Sequence, residues 1–285
     1  MIEQQIDRLA CALVLLALLA GCTTAGLTTG SSSESEESLS ATSPTNITSL
    51  SDVVQRNPND PQAYNTRGSV LGQAARRDEA LADFNKAIAL DPNYAQAYAN
   101  RALVYRQSNK LDLALADYDK ALSIDANYAA AYLGRGIVYR LKSQALAAFQ
   151  DFNKAIALRP NDAQAYYNRG LLYQAQRQYQ FSIDDFTTAI GLSPQQAEPL
   201  VARALTYMAM NEHKKAAGDL DEAVNLEPQN LQAWTSRGLA YEQLGDKERA
   251  AASYAKALNI NRTYEAAKTG FARVGGKTGQ TYQTF

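Results

Sequence analysis

The 285-residue chain has two cysteines, one histidine and one tryptophan. A single histidine cannot build a multi-histidine metal site, and two cysteines cannot build a thiolate cage. Charge of one sign is also missing: 28 basic residues face 29 acidic ones, a net charge of −1, so nothing global points to nucleic acid as a partner. No apolar run reaches the roughly 20 residues that a membrane-crossing helix needs. No glycine-rich phosphate loop ending in lysine is present. The lone histidine, His213, falls between two helical segments, with no serine, cysteine or carboxylate partner to make it catalytic. These absences predict a protein that is not an enzyme and holds no cofactor or metal.

What is present begins with an address. Leu9 to Ala20 (LACALVLLALLA) is twelve apolar or small residues without charge, the length of a signal-peptide core. It runs into Leu19-Ala20-Gly21-Cys22. Run length, small residues and a closing cysteine together resemble a bacterial lipobox. That resemblance implies a signal peptide over 1–21, a lipid anchor on Cys22 and no free thiol in the mature chain. Asp is absent just after Cys22, where Thr23 and Thr24 stand, and by resemblance to enteric lipoproteins this implies the outer membrane, facing the periplasm. Residues 22–48 follow as an expected disordered tether. Fourteen of the 26 residues from Thr23 to Thr48 are serine or threonine, and Glu34, Glu36 and Glu37 are their only charges. Such a tether has a mean reach of about 25–30 Å.

From Pro61 to Tyr264 the sequence repeats every 34 residues in six units without insertion or deletion, starting at Pro61, Ala95, Ala129, Ala163, Ala197 and Leu231. Within a unit, positions 4, 8 and 11 share one helix face, and positions 20, 24 and 27 share a face on a second helix. Position 4 is mostly Tyr, position 8 Gly or Ala, position 24 aromatic or Leu, and position 27 Ala in all six. Proline at position 32 in four units breaks the chain before the next one. Each unit reads as a helical hairpin that must stack on its neighbours to bury its faces. The pattern resembles the tetratricopeptide repeat family. The fold class it implies is all-α, a right-handed superhelical solenoid of helical hairpins. An N-terminal half-repeat is expected over 49–60, a capping helix over 265–274, and a flexible tail over 275–285.

Position 7 is arginine throughout (Arg67, Arg101, Arg135, Arg169, Arg203, Arg237), and position 23 is Asp83, Asp117, Asp151, Asp185, Asp219 and then Ser253. The matched series predicts a ladder of arginine–aspartate pairs, bidentate by the geometry of the guanidinium fork. Pairing within a unit, which leaves Arg237 without its aspartate, and pairing with the unit before, which leaves Arg67 without one, are both open.

In the resembled family, positions 2, 5, 6, 9, 12 and 13 line a concave groove. Here that groove reads as an apolar centre between polar ends: Leu133 and Ile137, then Tyr167 and Leu171, then Val201, Leu205 and Met208. Asn100 and Asn168 are candidates to hydrogen-bond a peptide backbone, and Arg106 and Arg140 to receive a carboxylate. The two-carboxylate clamp of chaperone-binding relatives is excluded, because Asn65, Ser69, Ala130 and Gly134 occupy its places and only Asn100 matches. The expectation is a membrane-anchored scaffold of the bacterial cell envelope with protein partners. It resembles repeat lipoproteins that act as adaptors for peptidoglycan hydrolases, pilotins for pilus secretins, or parts of outer-membrane assembly machines. The alternative is a structural homo-oligomer, such as a homodimer, whose groove is its own interface.

Overall fold

The computed structural model describes residues 42–276 and Tyr282. The signal segment, Cys22 and the tether up to residue 41 lie outside the described residues, as does the tail beyond 276 apart from Tyr282. Among the described residues there are fourteen helices and no strand. A leading helix, α1 (Pro44–Arg56), precedes six hairpins. These are α2 (Pro61–Gln73) with α3 (Arg77–Leu90), α4 (Ala95–Gln107) with α5 (Leu111–Ile124), and α6 (Ala129–Leu141) with α7 (Ala145–Leu158). Then come α8 (Ala163–Ala175) with α9 (Tyr179–Leu192), α10 (Ala197–Ala209) with α11 (His213–Leu226), and α12 (Leu231–Gln243) with α13 (Lys247–Ile260). A closing helix, α14, spans Glu265–Arg273. The first helix of each hairpin has 13 residues and the second 14, and three- and four-residue connections complete the 34-residue period.

Each hairpin packs on the next, and successive first helices also touch: α2 on α4, α4 on α6, and so on to α12 on α14. Among the described residues, the second helices of successive hairpins do not reach one another. A row that is closer on one side must curve toward it, so the first helices form the inner, concave face.

The core follows the repeat. At position 24, Phe84, Phe152, Phe186, Leu220, Tyr118 and Tyr254 are all buried, as are the six alanines of position 27. Burying one such aromatic contributes about 2–3 kcal/mol. Glycine at position 8 makes room for it: a Cβ on Gly136 would lie 2.7 Å from the Phe152 ring, inside contact distance. Where position 8 is Ala102, the Tyr118 ring instead lies against Gly134 of the following hairpin.

One boundary differs from the sequence reading. The leading helix starts at Pro44, inside the stretch read as tether and five residues before the expected half-repeat at 49. Ser43 caps it, accepting the Asn46 amide at 3.2 Å, and Pro44 opens its first turn. Ile47 then joins the buried cluster that holds Leu71, Phe84 and Val104. At the other end α14 matches the expected capping helix, and within the expected tail Tyr282 packs edge-on against Phe271 at 5.6 Å between ring centres.

The hairpin turns hold a feature the residue types conceal. Position 15 is left-handed in every unit: Ala75, Asn109, Ser143, Arg177 and Asn211 have φ between 55° and 60°, and Gly245 has φ 78°. The next residue closes the turn, as when the Arg76 amide donates to the Leu71 carbonyl at 2.9 Å. Only the sixth unit uses the residue that adopts this conformation without steric cost. Ser143→Gly and Ala75→Gly are therefore expected to raise stability by up to about 1 kcal/mol each, the gain being offset in part by unfolded-chain entropy. Gly245→Ala is expected to lower it. Thermal unfolding of the three variants checks the set, and a fall in the melting temperature for the first two contradicts this account of the turn.

Candidate functional site: the arginine ladder and the concave groove

The arginines of position 7 sit on the first helices, facing the second. In five hairpins the pairing is bidentate and within the unit. Nε and one terminal nitrogen donate to the two oxygens of the aspartate sixteen residues on, at 2.7–2.8 Å: Arg67 to Asp83, Arg101 to Asp117, Arg135 to Asp151, Arg169 to Asp185, and Arg203 to Asp219. The remaining terminal nitrogen reaches back to the preceding hairpin. Arg101 donates to Asn85 at 2.6 Å, Arg135 to Asp119 at 2.7 Å, Arg169 to Asn153 at 2.7 Å, and Arg203 to Thr187 at 2.9 Å. One guanidinium thus ties two helices of its own unit and one of the unit before. Sequence reasoning missed this second set of acceptors at position 25. Its signal was a column of Asn, Asp and Thr, each able to accept.

Tyrosines of positions 4 and 11 pack against the core and also flank the guanidinium, with Arg135 lying 5.6 Å from the Tyr132 ring centre and 5.7 Å from that of Tyr139. Hydrogen bonding to aspartate raises the pKa of Arg67, Arg101, Arg135, Arg169 and Arg203 against the opposing effect of burial. In the sixth unit Ser253 replaces aspartate. There Arg237 donates to Ser253 Oγ at 2.8 Å and takes its carboxylate from Asp221 of the fifth hairpin, at 2.6 Å.

The groove is the open inner face of the first helices. Tyr167, Leu171, Val201 and Leu205 come together there with Gln174, Glu198 and Gln232 around a pocket of about 270 Å³. Other expected groove residues are turned to internal use. Val201 is itself mostly buried in the packing of α10 against its neighbours. Leu133 and Ile137 pack toward Phe152 and Leu172. Met208 Sδ lies 3.4 Å from His213 Nδ1, which joins that histidine to α10. The amide nitrogens of the groove asparagines already have partners within the fold. Asn100 Nδ2 donates to Asn65 Oδ1 at 2.9 Å and to Ser69 Oγ at 3.1 Å, and Asn65 Nδ2 donates to the Tyr94 hydroxyl at 3.2 Å. Asn168 is buried and its Nδ2 donates to the Gln164 carbonyl at 2.8 Å. The Asn100 amide ties α4 to α2 of the preceding hairpin, and the Asn168 amide serves its own helix.

Arg106 and Arg140 are different. Both are half-buried on the inner face, and the Nε of each is buried without a hydrogen-bond partner. Burial lowers the pKa of Arg140, and the nearby charge of Arg106 lowers it further. Tyr118, beside Arg106, is pushed up to about 12, chiefly by burial.

An exposed apolar edge went unread in the sequence. Leu113, Leu146 and Phe181 begin the second helices of consecutive hairpins and are at least half exposed. Phe181 stacks on Tyr173, which meets Phe149, both at 5.3 Å between ring centres. No described helix is long and apolar enough to cross a membrane.

Comparison with known proteins fixes the class. The chain belongs to the family of the ETO1 C-terminal domain, whose model matches residues 92–277, and it is a tetratricopeptide-repeat protein, with a TPR repeat model matching residues 76–107. No curated protein matches it. Among solved structures it is similar to the Cut9–Hcn1 hetero-tetramer of the APC/C, with TM-score 0.72 and 19% identity over 79% of this chain, spanning 45% of that one. It is similar to PilW, described as a widely conserved type IV pilus biogenesis factor, with TM-score 0.68 and 18% identity over 73% of this chain and 97% of that one. It is also similar to YrrB, described as a TPR protein with an unusual peptide-binding site, with TM-score 0.53 and 26% identity over 65% of this chain and 96% of that one.

Two arginines on α6 should respond oppositely to the same substitution. Arg135→Met strands a buried carboxylate and should cost about 3 kcal/mol. Arg140→Met removes an unpaired, desolvated donor and should be neutral or stabilising by up to ~1 kcal/mol. Chemical denaturation of both variants checks this, and equal losses contradict it.

Proposed function

We propose that the protein is a lipid-anchored scaffold of the bacterial envelope, whose concave face holds an extended segment of a partner protein. The observation that carries this reading is the pocket on the inner face of the solenoid, where Tyr167, Leu171, Val201 and Leu205 form an apolar part beside the polar Gln174, Glu198, Asn230 and Gln232. The likeness to YrrB and PilW supports a role in protein interaction rather than catalysis. The lipobox-like Leu19-Ala20-Gly21-Cys22 supports the anchor, and Thr23 and Thr24 support delivery to the outer membrane. Two acyl chains or more would hold the domain firmly, at ~0.8 kcal/mol for each buried methylene. The partners suggested by analogy are peptidoglycan hydrolases, secretin components and outer-membrane assembly proteins.

Two measurements test the reading. Cys22→Ser should leave the protein unprocessed or shift it from the membrane to the soluble fraction. A processed, membrane-bound Cys22→Ser protein rules out the anchor. For the groove, Leu171→Glu should remove envelope proteins retained by the parent while helical content stays unchanged. An identical set of retained proteins from both rules out the pocket as the docking face.

A further inference from the structure

Most arginines of this chain that leave bulk water find a carboxylate. Among the described residues, Arg77, Arg106, Arg140, Arg177 and Arg262 have none within 4 Å, and three of these five are exposed to solvent. The two that are not, Arg106 and Arg140, occupy the same position of consecutive units, on α4 and α6, first helices that touch one another. Each buries an Nε that nothing accepts from. An unpaired buried donor is unfavourable, and two such cations on touching helices are more so. Nothing in the packing of the hairpins requires either charge. The corresponding residues elsewhere are Gly72, Gln174, Met208 and Glu242. Gln174 bonds Thr206, and Glu242 pairs with Arg273. The arginines therefore stand as a cationic step on the inner face, without a carboxylate within the fold and open on the groove side.

The surroundings narrow what would complete them. Gly134 on α6 carries no side chain, and a Cβ there would collide with the Tyr118 hydroxyl, which interacts with Arg106. The Tyr167 phenol approaches Arg140 from the next hairpin, and the apolar pocket at Leu171 continues the groove beyond it. The groove runs on past the arginines in both directions, so an occupant passes through and presents side chains, and does not end there. We infer that Arg106 and Arg140 together bind acidic side chains of an extended partner segment that carries apolar residues for the neighbouring pocket. Two guanidinium groups in a partly desolvated groove favour carboxylates over neutral amides through charge-assisted, fork-shaped hydrogen bonds. This inference rests on the scaffold reading above and names the chemistry of its ligand.

The test uses the full-length protein in detergent and two fluorescent, end-capped decapeptides, one alternating Leu with Glu and one alternating Leu with Gln, read by anisotropy. The parent should bind the Glu peptide at least ~10-fold more tightly than the Gln peptide. Arg106→Gln combined with Arg140→Gln should abolish that preference, while the exposed Arg177→Gln should keep it. Equal binding of both peptides by the parent, or an unchanged preference in the double variant, overturns the inference. Binding that appears only after Glu34, Glu36 and Glu37 are all changed to Gln assigns the site to the chain's own acidic segment, and also overturns it. If Leu171→Glu loses both peptides while the arginine variant loses neither, the groove stands and the acidic ligand falls. If no variant binds the Glu peptide, the inference falls, while the scaffold reading is judged separately by retained envelope proteins.

Discussion

A helical hairpin of 34 residues cannot fold alone, because each face it makes must be covered by another hairpin. In this chain the arginine of position 7 holds hairpins in register. Two of its nitrogens satisfy an aspartate on the partner helix, and a third crosses to the unit before. Arg169 does this with Asp185 and Asn153, all within 2.8 Å. Apolar packing supplies the bulk of the stability, but it is tolerant of sliding. A planar fork with fixed acceptors is not, and a charge held among aromatic rings is strongly disfavoured in any register that leaves it unpaired. The rest of the architecture follows: constant hairpin geometry, a constant bend, and an inner face on which one position of each unit forms a row.

The sixth unit shows how much of the arrangement the arginine commands. Its own aspartate is replaced by Ser253, yet Arg237 remains buried and recruits Asp221 from the fifth hairpin. Asp221 is held in turn by the Tyr241 hydroxyl at 2.7 Å, and Arg249 covers the Tyr241 ring at 4.4 Å. The cation keeps its place and the acceptor changes side. The same economy of acceptors explains why Arg106 and Arg140 are conspicuous. In a chain that pairs its buried arginines this consistently, two adjacent ones without a carboxylate mark the face where the protein meets something else.

The repeat period, the hairpins, the core positions and the closing helix were all legible in the sequence, because each is written six times and noise in one unit is corrected by the others. What was not legible is written once or in mixed letters. Ile47 is a single apolar residue in a run of serine and threonine, so no periodicity announces that α1 begins at Pro44. The left-handed turn at position 15 carries Ala, Asn, Ser, Arg, Asn and Gly, which share no side-chain chemistry. The position-25 acceptors are Asn, Asp and Thr, a class rather than a residue. In the groove, position alone ranked Asn100 and Asn168 as ligand contacts. Their amide nitrogens also bond Asn65, Ser69 and Gln164, and no rule of spacing reveals those hydrogen bonds.

The central claim is that one arginine couples a hairpin to its predecessor as well as to itself. It is tested most directly by double-mutant cycles on the fourth unit, combining Arg169→Met with Asn153→Ala and, separately, with Asp185→Ala, read by chemical denaturation. The account predicts coupling of about 1 kcal/mol or more in the cross-hairpin cycle and a larger value in the cycle within the unit. Strict additivity of Arg169 and Asn153 would contradict it, and would leave apolar packing alone to set the register of the solenoid.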